Sequence, residues 1–313
     1  NGIKVTWMLD VHAVVLTQPG HIDKIVKTFA SCHGANLNIP HQLPIKAHLR
    51  LCMGGTSEEE QSPRLDVDIF HYRSLVGALN YISCCTRPDI TFITNHMSYY
   101  VNDPKEAHWK VAIHLLRFLN CTKHWGIMLG QHGALDKGWV KSREIVAYAD
   151  ANHGTGIDNK RSVLGMVLCV YGGPVTWSSK VQTVTSTSTV ESETRAMSEA
   201  SGEALWLVKV AKLFEIETMP FLIQGDSKGA IEAICNHGYT KHIRHIGIHH
   251  DFMKQRYQAG KLLYEHIPGK ENPSDMFTKA LPFLSFDECC RALGMVDLEL
   301  EASKRHIFDH VDD

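Results

Sequence analysis

Four acidic residues stand where a reaction would need them. Asp150 closes the apolar run IVAYAD, Asp226 ends LIQGD, Glu193 lies in the first turns of a helix opening near Thr189, and Asp275 lies in the first turn of a helix opening at Asn272 or Pro273. Strand ends and helix starts beside one sheet bring such groups to one edge. Carboxylates gathered there would repel and raise one another's pKa unless a cation sat among them. An all-oxygen set of that charge suits Mg²⁺, with Mn²⁺ as a substitute, rather than zinc. Two such ions, about 3.5–4 Å apart, would clamp a phosphodiester, one activating water and one stabilising the leaving oxygen. An acidic residue at a helix N-terminus also serves as a cap or dipole partner, so Glu193 or Asp275 alone says little. Asp150 and Asp226, at the ends of apolar strands, are harder to explain that way.

The elements that must hold these groups are legible from periodicity and turn residues. EIVAYADAN, SVLGMVLCVYGG and PVTWSSK read as three strands in a meander, FLIQGD as a fourth and KLLYEHIP as a fifth. Helices fall at about 189–214, over SKGAIEAICNH and near 248–257. A meander followed by strand–helix units implies one mixed sheet flanked by helices, an α/β fold. Upstream, IKVTWMLDVHAVV reads as a hairpin or edge strand, HIDKIVKTFA as a short amphipathic helix, and 32–67 as loop. DIFHYRSLVGALNYISCC, DITFITNHMSYYV after Pro88, and KEAHWKVAIHLLRFLNCT after Pro104 read as three helices of a small bundle. Trp109 and Trp206, at helical spacing among apolar neighbours, are assigned to the core.

Composition narrows the class. The 313 residues suffice for two cores, and 44% hydrophobic with 21% charged residues is too apolar for a disordered chain. With 32 Lys+Arg against 34 Asp+Glu, no global basic field announces nucleic acid, but binding depends on local patches. Nine scattered Cys without a CxxC repeat read as reduced thiols of an intracellular protein. The uncharged run 163–179 is broken by Gly172, Gly173 and Pro174, so no membrane partner is expected. The chain opens without Met and in mid-pattern, and so reads as part of a longer product.

YADANHG, DNKRSVLG, PVTWSSKVQ, STVESE, QGDSKGAI, RHIGIHHDF and PGKENPSDMFTKAL resemble, in order, the blocks of the ribonuclease H domain of copia-type LTR retrotransposon polyproteins. LTQPGHIDKIVKTF, YRSLVGALNYIS, TRPDITFITNHMS, DPKEAHWKVAIHLLRFL and GIMLG resemble the end of the reverse transcriptase just upstream. The resemblance runs from Val5 to Leu281. It implies a ribonuclease H-like fold, a five-stranded mixed sheet flanked by helices, preceded by a small, mostly helical thumb and connection. The domain expectations are 1–66 for the end of the palm and a linker, 67–130 for the helical thumb and connection, 143–283 for the ribonuclease H-like domain, and 284–313 for a short helix and acidic tail. The implied activity is metal-dependent hydrolysis of the RNA strand of RNA–DNA hybrids, with two Mg²⁺ held by Asp150, Glu193, Asp226 and Asp275 and no small-molecule cofactor. The implied partners are the hybrid and the upstream palm, and the implied location is cytoplasmic, in the retrotransposon particle, or nuclear. Without the palm the chain is not expected to polymerise DNA, and the terminal HVDD, in an acidic tail, does not replace the missing aspartates.

Several departures leave a second reading open, a catalytically inactive remnant that acts at most as a nucleic-acid-binding module. Asn152 stands where the family has a second acid, Gly247 replaces an acid, Asp251 replaces a His, and Glu191 is the alternative to Glu193 if the alignment slips by two. Hybrid contacts are expected from Lys160, Arg161, Ser178, Ser179, Lys180 and Gln182, and from the basic pair Arg244 and His245. In the bundle they are expected from Arg73, Arg87, Lys110, Arg117 and Lys123. Thr185–Thr189 offers hydroxyls to phosphate or an N-cap to the long helix. His242, His249 and His250 are assigned to surface or packing.

Overall fold

The computed structural model describes residues 2–9, 12–30, 36–130, 145–215, 220–235 and 247–305. The N-terminal β-branched run forms a hairpin of β1 (Lys4–Met8) and β2 (Ala13–Thr17), followed by α1 (Pro19–Ala30), which buries Ile22, Ile25 and Phe29. The stretch expected to be loop carries a small ladder, β3 (Leu51–Cys52) with β4 (Gly55–Thr56). The first helix of the bundle is broken: α2 (Val67–Phe70) ends at His71, whose φ of 44° turns the chain before α3 (Tyr72–Cys85). A 3₁₀ turn at Pro88–Ile90 leads into α4 (Thr91–Ser98), and α5 (Glu106–Cys121) leads into β5 (Trp125–Gly130), which pairs with β2.

The downstream sheet is built from β6 (Ile145–Asn152), β7 (Val163–Val170) and β8 (Gly173–Val181) as an antiparallel meander. After α6 (Thr189–Leu213), β9 (Phe221–Gly225) joins parallel to β6. Beyond α7 (Lys228–Cys235) and α8 (Gly247–Gln258), β10 (Leu262–His266) joins parallel to β9, giving the order β10-β9-β6-β7-β8. The segment expected to open a last helix is instead a 3₁₀ turn, Pro273–Phe277, capped by Asn272. After α9 (Phe283–Ala292), the short β11 (Met295–Asp297) pairs with β5 in the N-terminal sheet, and α10 (Leu298–Arg305) follows. The segment read as a short helix and acidic tail thus adds a strand.

Small residues let α6 approach the sheet closely. Ala196, Met197, Ala200 and Ala204 cluster with Ala147, Ala149 and Ala151 on one face. On the other face, Val146, Tyr148 and Val167 join Phe277 and the buried residues of α3, α4 and α5 in one larger core. Trp177 Nε1 donates to the Ser83 carbonyl at 3.0 Å across that boundary. The helical part therefore supplies the second helical layer. Trp109 is buried as expected, but Trp206 is 56% exposed. At about 100° per residue it lies about 200° round the helix from Ala204, on the solvent side.

Gly165 on β7 is where the 3₁₀ turn rests: an added Cβ would lie 2.7 Å from Thr278 Cγ2 and 2.9 Å from both Phe277 Cβ and the Ser274 carbonyl oxygen. Gly165→Ala is expected to destabilise by about 1–3 kcal/mol, the usual penalty of overpacking. Urea unfolding should show a lowered midpoint with an unchanged slope. An unchanged midpoint would mean that the turn does not rest on β7.

Candidate metal centre

The strand register makes the site. Ala149 on β6 pairs with Gly225 on β9, so the residues that follow them, Asp150 within the last residues of β6 and Asp226 just past the end of β9, come to the same edge of adjacent parallel strands. Ser188 caps α6 by accepting from the Glu191 N–H, and the alanine face that seats the helix on the sheet begins one turn after Glu193. Carboxylate oxygens of Asp150, Glu193 and Asp226 consequently lie within 4.8 Å of one another. Asp150 and Glu193 are each 4% exposed, and Asp226 is half-buried.

Asn272 positions the fourth acid. Its Nδ2 donates to the Ala149 carbonyl at 2.9 Å, while its Oδ1 accepts from the Ser274 N–H at 3.2 Å and the Ser274 hydroxyl at 2.5 Å. The turn so fixed brings Asp275 close enough to Asp150 for its charge to raise the Asp150 pKa. Thr278 Oγ1 donates to Asp150 Oδ2 at 2.5 Å, and Lys279 Nζ sits 2.8 Å from Asp275 Oδ1. Three of the four expected acids thus meet, with Asp275 at the rim held by Lys279. Thr278 and Lys279 were missed by the sequence reading. The i,i+4 spacing of Asp275 and Lys279 was the available signal for the second.

Glu191 is excluded as the alternative ligand by its own contacts. Its carboxylate accepts from the Thr187 N–H and hydroxyl and from Arg195. Burial would push its pKa up, but these donors hold it below the ordinary value. The cluster behaves oppositely. Burial first, then the charge of Asp275, pushes Asp150 up to about 6. Burial, then the charges of Asp150 and Asp226, pushes Glu193 up to about 9. Asp226 and Asp275 are also raised, chiefly by burial. One ammonium, Lys279, faces four carboxylates, so the donor set retains a negative excess when ionised. Three carboxylates from separate chain segments, two buried and one half-buried, with one ammonium among four acids, fit a hard divalent cation.

The expected nucleic-acid contacts divide. Arg161 and Gln182 line a cleft that also reaches Asp275 and Lys279. Lys160 is exposed at φ 53° in the turn between β6 and β7, and Ser178 is half-buried on β8. Ser179 is buried in the sheet. Lys180 pairs with Glu199 at 3.4 Å, Lys110 with Glu59 at 3.0 Å and Lys123 with Asp23 at 3.2 Å, while Arg73 donates to Asn102 Oδ1 at 2.7 Å and Arg117 to the Asn36 carbonyl at 2.8 Å. Arg87 must be removed from the set. It is fully buried, paired with buried Asp89 at 2.7 Å, and cannot face a duplex. Arg244, His245 and His242 lie outside the described residues. His250 packs inside, its Nε2 2.8 Å from the Ala233 carbonyl oxygen.

No protein-family model matches the chain. The retrovirus-related Pol polyprotein from transposon TNT 1-94 of Nicotiana tabacum is 28% identical over 296 residues, 94% of this chain and 21% of that polyprotein. The polyprotein from transposon RE2 of Arabidopsis thaliana is 29% identical over 73% of this chain and 15% of its own length. Secreted RxLR effector protein 161 of Plasmopara viticola is 34% identical over 44% of this chain and 90% of its own length. The chain spans about a fifth of the TNT 1-94 polyprotein and less of the RE2 one. Among solved structures, LC11-RNase H1 in complex with an RNA/DNA hybrid is 16% identical, covers 43% of this chain and 94% of its own, and has a TM-score of 0.33. The ribonuclease H-like fold rests on the sheet itself: an antiparallel three-strand meander extended by two parallel strands on the side of β6, with helices flanking it. Along nearly its whole length, then, the chain is homologous to retrovirus-related Pol polyproteins of copia-type transposons.

Proposed function

We propose that the chain is the ribonuclease H part of a retrotransposon reverse transcriptase, a metal-dependent endonuclease that hydrolyses the RNA strand of RNA–DNA hybrids. The observation that carries this reading is the meeting of Asp150, Glu193 and Asp226 within 4.8 Å, from three segments of the chain, beside Asp275. Mg²⁺, or Mn²⁺ in its place, bound by these carboxylates would supply Lewis-acid activation of water and of the leaving oxygen. Thr278 holds Asp150 in one orientation through Oδ2, and Lys279 keeps Asp275 against the site. Hydrolysis adds water across the phosphodiester, leaving a 5′-phosphate and a 3′-hydroxyl. Lys160 and Arg161 in the turn before β7, with Ser178, Lys180 and Gln182 on or just after the adjacent β8, would offer donors to phosphates and 2′-hydroxyls. The palm of such a polyprotein is the partner this reading gives the chain. Among the described residues no helix is long and apolar enough to cross a membrane.

Asp226 is the accessible member of the cluster and the cleanest test. Asp226→Asn is expected to remove Mg²⁺-dependent cleavage of a labelled RNA–DNA hybrid while the far-UV circular dichroism and melting profile stay native. Turnover at the original rate would overturn the assignment.

A further inference from the structure

A cleft of about 970 Å³ lies between the helical part and the downstream sheet, and its inner end reaches Asp275 and Lys279. A volume of that size lies at the upper end of small-ligand pockets, enough for a few nucleotide units and too small for a duplex. Its walls come from the C-terminal end of α4, the β3 region and the turn between β6 and β7. Arg50 and Arg161 both line it. Arg50 makes only a long contact, Nη1 to the Thr155 carbonyl at 3.4 Å, and neither guanidinium has an acidic partner among the described residues. The acids in the cleft are already engaged. Asp158 accepts from the Met53 N–H at 3.0 Å and the Tyr100 hydroxyl at 3.1 Å, and Asp275 is paired with Lys279. Tyr99, 54% exposed at the end of α4, offers an aromatic face on the cleft wall. Gln182, only 6% exposed, also lines it, and its Nε2 has no hydrogen-bond partner.

Unpaired cations, an exposed aromatic ring and a spare amide donor in one cleft are what unpaired nucleotides need. Phosphates seek guanidinium groups, and bases stack on aromatic faces whatever their sequence. We propose that this cleft takes two or three unpaired nucleotides of a strand that continues past the carboxylate cluster, with phosphates on Arg50 and Arg161 and a base on Tyr99. The proposal rests on the hybrid-nuclease reading for the position of the duplex, but single-strand binding can be measured without it.

The test uses the full chain without divalent cations, so that binding is read free of cleavage. Fluorescence anisotropy compares an 18-base-pair RNA–DNA hybrid with blunt ends against hybrids carrying a three-nucleotide 5′ or 3′ overhang, alongside a single-stranded hexamer. One overhang should bind about tenfold tighter than the blunt hybrid, the effect of about one base-stacking contact. Tyr99→Ala and Arg50→Ala should each erase that advantage while leaving blunt-hybrid affinity and Mg²⁺-dependent cleavage unchanged. Equal affinity for all three hybrids, or an overhang advantage that survives both substitutions, would overturn the cleft. If no hybrid is bound, the nuclease reading falls and the hexamer decides separately. Hexamer binding weakened about tenfold by Tyr99→Ala supports the cleft, and binding that is absent or unaffected overturns it.

Discussion

Glu193→Gln is expected to stabilise the metal-free protein and to abolish its cleavage of hybrids. Glu193 is buried with Asp150 and Asp226 around it, and that environment raises its pKa to about 9. In the unfolded chain a glutamate titrates near about 4.3. Between those values the folded state binds more protons than the unfolded state, so stability falls as pH rises through that window. Asp150, raised to about 6, adds to the same slope over its lower part. A glutamine at position 193 carries no charge to desolvate, so the gain near neutral pH should be about 1–2 kcal/mol, as for other substitutions that relieve a strained functional site. The slope of melting temperature against pH above about 5 should flatten with it. The same substitution removes a ligand oxygen's charge, and a loss of several kcal/mol of transition-state stabilisation is about 10³-fold or more in kcat. Thermal melts from pH 4 to 9 in EDTA and a cleavage assay in Mg²⁺ measure both halves. A variant less stable than the parent at neutral pH would show that the cluster is held by internal hydrogen bonds and does not lack a cation.

Arg87→Ala should be the most destabilising single change, about 3–5 kcal/mol, because it strands a buried carboxylate. The guanidinium lies at the end of α3 and is entirely inside the protein. Nε and Nη2 donate to Asp89 at 2.9 and 2.7 Å, while Nη1 and Nη2 donate to the Thr122 carbonyl and hydroxyl at 2.8 Å each. Its flat face lies 5.3 Å from the Phe118 ring centroid and 5.8 Å from that of Trp125. One side chain therefore ties the turn before α4 to the end of α5. Replacing both partners with apolar residues of similar size should recover much of the loss, since the cost lies in the unpaired charge. Urea unfolding of Arg87→Met, Asp89→Leu and the combined Arg87→Met/Asp89→Leu variant gives the coupling, with Arg87→Ala measured beside them. Additive losses in the double variant would mean that the pair does not act as a unit.

Most of the architecture was legible because it is written locally. The apolar run IVAYAD, the Pro-led starts of the bundle helices and the Ser188 cap each declare an element within a few residues. The element boundaries that went astray were set by contacts at a distance or by single backbone angles. His71 at φ 44° splits a continuous apolar stripe, and β11 becomes a strand because β5 offers an edge more than 150 residues upstream. Trp206 was misplaced because small residues on the other side of α6 had already taken the sheet.

At the site the division is sharper. Residue type and position along the elements were enough to choose Asp150, Glu193, Asp226 and Asp275, because strand ends and helix starts are where a sheet can assemble charge. Whether those acids meet depends on the parallel register of β6 with β9 and on the Asn272 staple, which join segments far apart in the chain. The same holds for Arg87. An arginine before a proline reads as a solvated charge, and only the packing of α3, α5 and Asp89 around it makes it a buried ion pair. Local periodicity declares what a residue can do, while neighbours brought from elsewhere by register and burial settle which of those things it does.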